Sequence, residues 1–266
     1  MKKVREEYSR VVLQAGYQNG PFGVIFDGTI MQFRVGKVDN KTTYLDILAA
    51  DGDVAYNWAV VQKSLARGTT VAQQANEIVK AMTETGGVAP GSIVFPSTGG
   101  IVEGMRGKVL FGYAKAALRQ VTRSTGTTWS IQNGKVNVIP LDSFLPNAEV
   151  VLTAKTGLIG RPEQTQEGIK AQCLLNPEIL VGGTVWINNQ SINQTQAAQG
   201  VALPGGAQLA FNQRTGFQNF ASVTADGRYR VYVAEHEGDT RGNAWYTRII
   251  CLTVDPTTSK VQPYGY

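Results

Sequence analysis

Apolar and polar positions alternate in three early runs, "SRVVLQAGY" (9–17), "GVIFDGTIMQFRVG" (23–36) and "TTYLDILAADG" (42–52). Each is rich in Val, Ile and aromatic residues and is bounded by turn clusters, "QNGPFG" and "GKVDNK". That pattern predicts three strands of a meander, preceded by a short helical turn in "KKVREEY". From Thr70 the period changes. Val71, Ala75, Ile78, Val79 and Met82 fall on one helical stripe, with Thr70 as N-cap and Gly86-Gly87 as the stop. "GSIVFP" is a short extended piece. "KVLFGYAKAALRQVTRSTG" then predicts a second helix, with Leu110, Ala114, Ala117, Leu118 and Val121 as its stripe. "TTWSIQNGKVNVIP" predicts a hairpin, because Asn133-Gly134 is the pair a type I′ turn favours.

After Pro140 the alternation returns. Strands are expected at 149–154, 168–175, 183–188, 219–224, 228–237 and 244–255, with a Gln-, Asn- and Gly-rich connection over 189–218. Six such strands suggest a closed antiparallel barrel. The chain therefore reads as mainly β with an α+β insert. A first barrel covers 1–65, a two-helix-plus-hairpin domain 66–140, and a second barrel 141–266. Three strands are too few to close the first barrel. It either borrows strands from 140–165 or belongs to a chain that begins later than its relatives do.

Composition narrows the class. The 266 residues are 42% hydrophobic and 17% charged, enough to bury a core of ordinary size in one or two domains. The 30 glycines fit a turn-rich β protein. The formal charge of +5 comes from the first half: residues 1–140 hold 16 Lys/Arg against 10 Asp/Glu, and residues 141–266 hold 9 against 10. A mild, one-sided excess permits contact with a polyanion without requiring one. The two cysteines, Cys173 and Cys251, sit in apolar runs and read as buried free thiols rather than a disulfide framework. No apolar stretch approaches the ~20 residues of a membrane span, and the N-terminus lacks the apolar run of a signal peptide.

Candidate chemistry centres on "HEGDTRG", which carries the one histidine, His236. Zinc needs about four N, S or O ligands, which one histidine and two strand cysteines do not supply. Arg241 behind Asp239 opposes a calcium site. As a general base, His236 would need a nucleophile or paired carboxylate, and the chain has no GxSxG or phosphate-binding loop. "GGIVEGMRGK" (99–108) lacks the spacing of such a loop and reads as a flexible connection. No cofactor or metal is expected. The stretch reads as a hairpin tip with His236 at its shoulder and Asp239 and Arg241 able to pair there or with a neighbouring chain. Tyr229, Tyr232, Trp245 and Tyr246 read as core or interface residues. An alternative is an OB-like barrel module stacking single-stranded nucleic acid on those aromatics.

The strung phrases "VVLQAGY", "GVIFDGTI", "TYLDILAADGDVAYNWAVVQKSLARGTT", "RGKVLFGYAKAALRQVTRSTGTTWSIQNGKVNVIP", "TGLIGRPEQTQEGIKAQCLLNPEILVGGTVWI" and "HEGDTRGNAWYT" span nearly the whole chain. Together they resemble the baseplate (tail) hub proteins of Mu-like contractile-tailed bacteriophages. The resemblance implies two tail-tube-like β-barrels per subunit and a homotrimeric ring of six barrels. It implies a structural hub, not an enzyme, that adapts the hexameric tail tube to the trimeric spike and encloses the genome-delivery channel. The implied partners are other copies of the chain, the tube protein, the central spike protein and other baseplate proteins. DNA is met only in transit. The implied location is the virion, after assembly in the host cytoplasm. On this reading the insert hairpin lies away from the channel. His236, Asp239, Arg241 and Trp245 lie at a ring end against another chain.

Overall fold

The computed structural model describes residues 9–96, 106–165, 167–193 and 227–253. The expected helical turn before residue 9, the strand at 219–224 and most of the 189–218 connection lie outside them. The chain forms two compact units, Met1–Pro146 and Asn147–Tyr266.

In the first unit, β1 (Arg10–Gly16), β2 (Phe22–Lys37) and β3 (Thr43–Ala50) form the expected antiparallel meander. Turn chemistry sets its corners. Tyr17 and Gly20 close the first by backbone hydrogen bonds, and the Asp39 carboxylate accepts from the Lys41 and Thr42 amides at the second. Arg10 donates twice to Asp27 across the β1–β2 pair, at 2.7 and 2.6 Å. Beyond Ile30, β2 pairs with β3 alone, so the sheet narrows to a two-stranded ribbon.

Next come α1 (Asp53–Trp58), β4 (Val60–Leu65), α2 (Val71–Thr85), β5 (Ala89–Ile93), β6 (Lys108–Tyr113), α3 (Ala114–Thr125), β7 (Thr127–Gln132) and β8 (Lys135–Pro140). Helix α2 begins as its sequence requires. The Thr70 hydroxyl accepts from the Gln73 amide, and the Gln73 side chain accepts from the Thr70 amide, a reciprocal capping box. All five stripe residues of α2 are buried. They pack with Ala114, Leu118 and Val121 of α3 and with Val136 and Val138 of β8. The second expected helix is a strand followed by a helix. Gly112 at φ 120° and Tyr113 in extended backbone break the helical path, so Leu110 reaches the core from β6. Strand β6 pairs antiparallel with β4, which the sequence pattern had not revealed. Strand β8 pairs with β7 across the Asn133-Gly134 turn and parallel with β5. Asn133 (φ 50°) and Gly134 (φ 70°) both take the left-handed backbone of a type I′ turn.

The second unit is a six-stranded sheet in the order β10-β11-β14-β13-β12-β9. Its strands are β9 (Val150–Leu152), β10 (Leu158–Gln164), β11 (Ile169–Leu174), β12 (Thr184–Ile187), β13 (Arg228–Gly238) and β14 (Trp245–Leu252). The strands from 140–165, β9 and β10, belong here: β9 runs parallel to β12, and β10 pairs with β11. The edges β9 and β10 form no ladder with each other among the described residues. One face carries the core of Leu152, Ile169, Val185, Ile187, Tyr229 and Ile249. Cys173 and Cys251 are free and buried in it. Burial pushes the Cys173 thiol up to about 11, and burial with Cys173 nearby pushes Cys251 higher still.

Candidate interaction site at the 238–245 hairpin tip

Strands β13 and β14 form one hairpin, with His236 opposite Thr247, Glu237 opposite Tyr246 and Gly238 opposite Trp245. A bulge between Val231 and Val233 inserts Tyr232 and shifts the alternation by one residue. Before it, Tyr229 and Val231 point into the core. After it, Ala234 and His236 share the side of buried Thr247 and Ile249. His236 is thus not a shoulder residue of the tip but a half-buried strand residue.

The His236 Nδ1 lies 2.9 Å from the Thr247 hydroxyl oxygen. That oxygen accepts from the Asn176 amide at 3.0 Å, and Thr247 is fully buried. The Thr247 hydroxyl thus bridges the imidazole Nδ1 and the Asn176 amide. Burial lowers the His236 pKa, which keeps the ring neutral near pH 7. The network fastens three segments: β13, β14 and the loop after β11.

At the tip, the Asp239 amide donates to the Ala244 carbonyl at 2.7 Å, and the Asp239 carboxylate accepts from the Arg241 amide at 2.8 Å. Of the two arrangements open to Asp239 and Arg241, a pair across the tip or one with a neighbouring chain, the tip itself shows a carboxylate-to-backbone contact. Among the described residues, the Arg241 guanidinium makes no ion pair. Also on this hairpin, Arg248 pairs with Glu237 at 2.8 Å on the outer face. A side chain at Gly238 would meet the Trp245 ring at 3.2 Å, so Trp245, half-buried, packs over the hairpin's end. Asp239 and Arg241 stand exposed beyond it.

The four strand aromatics do not share one face. Tyr229 is buried with its hydroxyl donating to Asn189 at 2.7 Å, Tyr232 is exposed at the bulge, and Trp245 and Tyr246 alternate across β14. Among the described residues no group of three or more His, Cys, Asp or Glu could hold a metal ion, and no helix is long and apolar enough to cross a membrane. Sequence pattern missed Thr247 and Asn176. The signal for Thr247 was one polar residue at an inward position of the apolar strand "WYTRIICL".

The fold is that of phage tail proteins. It is similar to the 43 kDa tail protein of prophage MuSo2 from Shewanella oneidensis, with TM-score 0.50 at 8% identity over 88% of this chain and 79% of that one. The chain belongs to the baseplate hub gp41 family, whose sequence model matches residues 2–197. Its role is structural, in the tail baseplate of a phage particle. Two further solved structures match more loosely. The tail protein from Neisseria meningitidis has TM-score 0.42 at 10% identity, over 86% of this chain and 80% of that one. An E. coli type VI secretion system component, described as similar to T4 bacteriophage tail proteins gp27 and gp5, has TM-score 0.45 at 10% identity. The match covers 90% of this chain and 63% of that one. No curated protein sequence matches the chain.

Proposed function

We propose that copies of this chain assemble as a homotrimeric ring that joins the hexameric tail tube to the trimeric spike and surrounds the channel through which the genome leaves. Membership of the baseplate hub family over residues 2–197 carries this reading. Two β-rich units in one chain support it, because three copies would then supply six β-rich bodies to a six-fold tube. The protein works as an adaptor and not as an enzyme. Its partners are other copies of itself, the tube protein, the central spike protein and other baseplate proteins, with DNA passing through.

In that ring the β13–β14 tip stands at one end, against another chain. Asp239 and Arg241 make the contact, and His236 and Trp245 behind them hold the tip in place. An arginine offered at a rim sets register and partner choice more than affinity. Mixing purified chain with tube and spike proteins tests the function: stable complexes with both, at three copies of this chain each, are expected. A monomer that binds neither protein overturns it. Within that assay, Arg241→Ala leaves the fold intact, since exposed sites shift stability by only ~0.5 kcal/mol, and weakens attachment. A variant that unfolds, or attaches as well as wild type, removes Arg241 from the rim.

A further inference from the structure

The sequence holds the pair Asn-Gly twice, at Asn19-Gly20 and at Asn133-Gly134. This pair carries a chemistry of its own. The glycine amide nitrogen, once it loses its proton, attacks the side-chain carbonyl carbon of the asparagine. A nitrogen–carbon bond forms, the bond from that carbon to the side-chain NH2 breaks, and ammonia leaves with the proton. Water then opens the five-membered imide at either carbonyl, giving aspartate or isoaspartate. Water is the sole co-reactant. Glycine favours the attack because no Cβ crowds its nitrogen. The backbone between the two residues must rotate to bring nitrogen and carbon together. Any tether on that amide therefore opposes the reaction.

The fold places the two pairs in opposite circumstances. Asn133 and Gly134 are partly buried. The Asp51 carboxylate accepts from both of their amides, from Gly134 at 3.0 Å. The Gly134 carbonyl accepts from the Ala89 amide at 2.7 Å, and Gln132 pairs with Lys135 across the turn. The carboxylate beside the Gly134 N–H also opposes loss of its proton, since the amide anion would stand against a like charge. Asn19 and Gly20 lie exposed at the β1–β2 corner. The Gly20 amide donates at 3.2 Å to the Tyr17 carbonyl within that corner. Solvated turn bonds of this kind open at little cost. We propose that Asn19 is a site of spontaneous deamidation in the folded protein, and that Asn133, with the same glycine neighbour, is shielded by the Asp51 clamp. Conversion of Asn19 adds a carboxylate to the corner. Its isoaspartate form also lengthens the backbone where Gly16 pairs with Phe22, so the mark loosens the start of the meander.

The test is a time course of the purified full chain at neutral to mildly alkaline pH, folded and in denaturant. Samples are digested, and the peptides carrying residues 19 and 133 are weighed for replacement of the amide by a carboxyl group. Labelling by an isoaspartyl methyltransferase separates isoaspartate from aspartate. In the folded chain Asn19 should convert and Asn133 should stay an amide, while in denaturant both should convert at similar rates. Each pair thus serves as the other's control in one sample. Asp51→Ala removes the acceptor of both turn amides. It should speed Asn133 roughly fivefold to thirtyfold, the factor that loss of such a bond puts on opening of the turn. Asp51→Asn keeps an acceptor oxygen and should leave Asn133 slow. Equal rates at the two pairs in the folded wild-type chain, or an Asn19 that stays intact there, would overturn the proposal. So would an Asp51→Ala chain that melts as a folded protein and still keeps Asn133 intact. If Asp51→Ala fails to fold, the wild-type comparison and Asp51→Asn decide: a fast Asn133 in a folded wild-type chain sinks the shielding, and a slow one beside a converting Asn19 supports it.

Discussion

Asp51 offers a sharp physical test of how the first unit is put together. It follows β3, and its carboxylate accepts from the Gly134 amide at 3.0 Å and from Asn133, the two left-handed residues of the β7–β8 turn. It thereby ties the three-stranded sheet to the α+β part. Burial raises its pKa; the two amides pull it down less strongly, and the nearby Asp27 carboxylate adds to the rise. A raised folded-state pKa means that the folded chain binds this proton more tightly than the unfolded chain. Stability on this account is larger at low pH and falls as pH rises from the ordinary carboxylate range through the raised value. Asp51→Asn keeps an oxygen for the turn and removes the buried charge. At pH 7 it should match or exceed wild-type stability, and this contribution to the pH slope should vanish. Asp51→Ala leaves the turn amides without the carboxylate. Because the site is half open to water, the cost should be about 1–2 kcal/mol, or roughly 2–8 °C in melting temperature for a chain of this size. Circular dichroism melts of the three proteins across the acid-to-neutral range decide. If Asp51→Asn falls as far as Asp51→Ala at pH 7, the ionised carboxylate is the favoured state, and burial does not dominate.

Met82→Ala and Leu118→Ala remove fully buried side chains where α2 and α3 share a core, and each should cost about 2–5 kcal/mol in denaturant unfolding. Thr247→Val removes the hydroxyl shared by His236 and the Asn176 amide and should cost about 1–3 kcal/mol. An isosteric variant as stable as wild type would mean that the network contributes nothing. His236, titrated by NMR in the wild-type protein, should show a pKa below that of a free imidazole, as its burial requires; a value above it would mean the ring is charged and paired.

Local signals in the sequence were legible wherever the backbone itself demanded a residue type. Asn133-Gly134 located the β7–β8 turn, and Thr70 as N-cap located the start of α2. The α2 stripe identified the five apolar residues of its buried face, and the buried Gln74 beside them was not read from the pattern. What failed was arbitration between short elements. "KVLFGY" fits a helical stripe through Leu110 and Ala114, but Val109, Phe111 and Tyr113 are strand formers, and the left-handed Gly112 ends the ambiguity. Strand β4 was missed because its partner, β6, lies more than forty residues away, and the parallel β9–β12 pair is likewise set by distant contacts. His236 was misplaced for a different reason. One bulged residue, Tyr232, inverts the alternation, and no local pattern announces a bulge. The candidate tip was located by sequence, with Asp239 and Arg241 on it, while its fastening through Thr247 and Asn176 required the folded chain.

End-on electron microscopy of the purified chain, alone and with tube and spike proteins, is the decisive measurement of the trimeric hub. Closed rings with three-fold symmetry, three copies each and six peripheral β-rich densities around an open channel are expected. Particles that remain monomeric in the presence of both proteins, or that close with a symmetry incompatible with three copies, would contradict it.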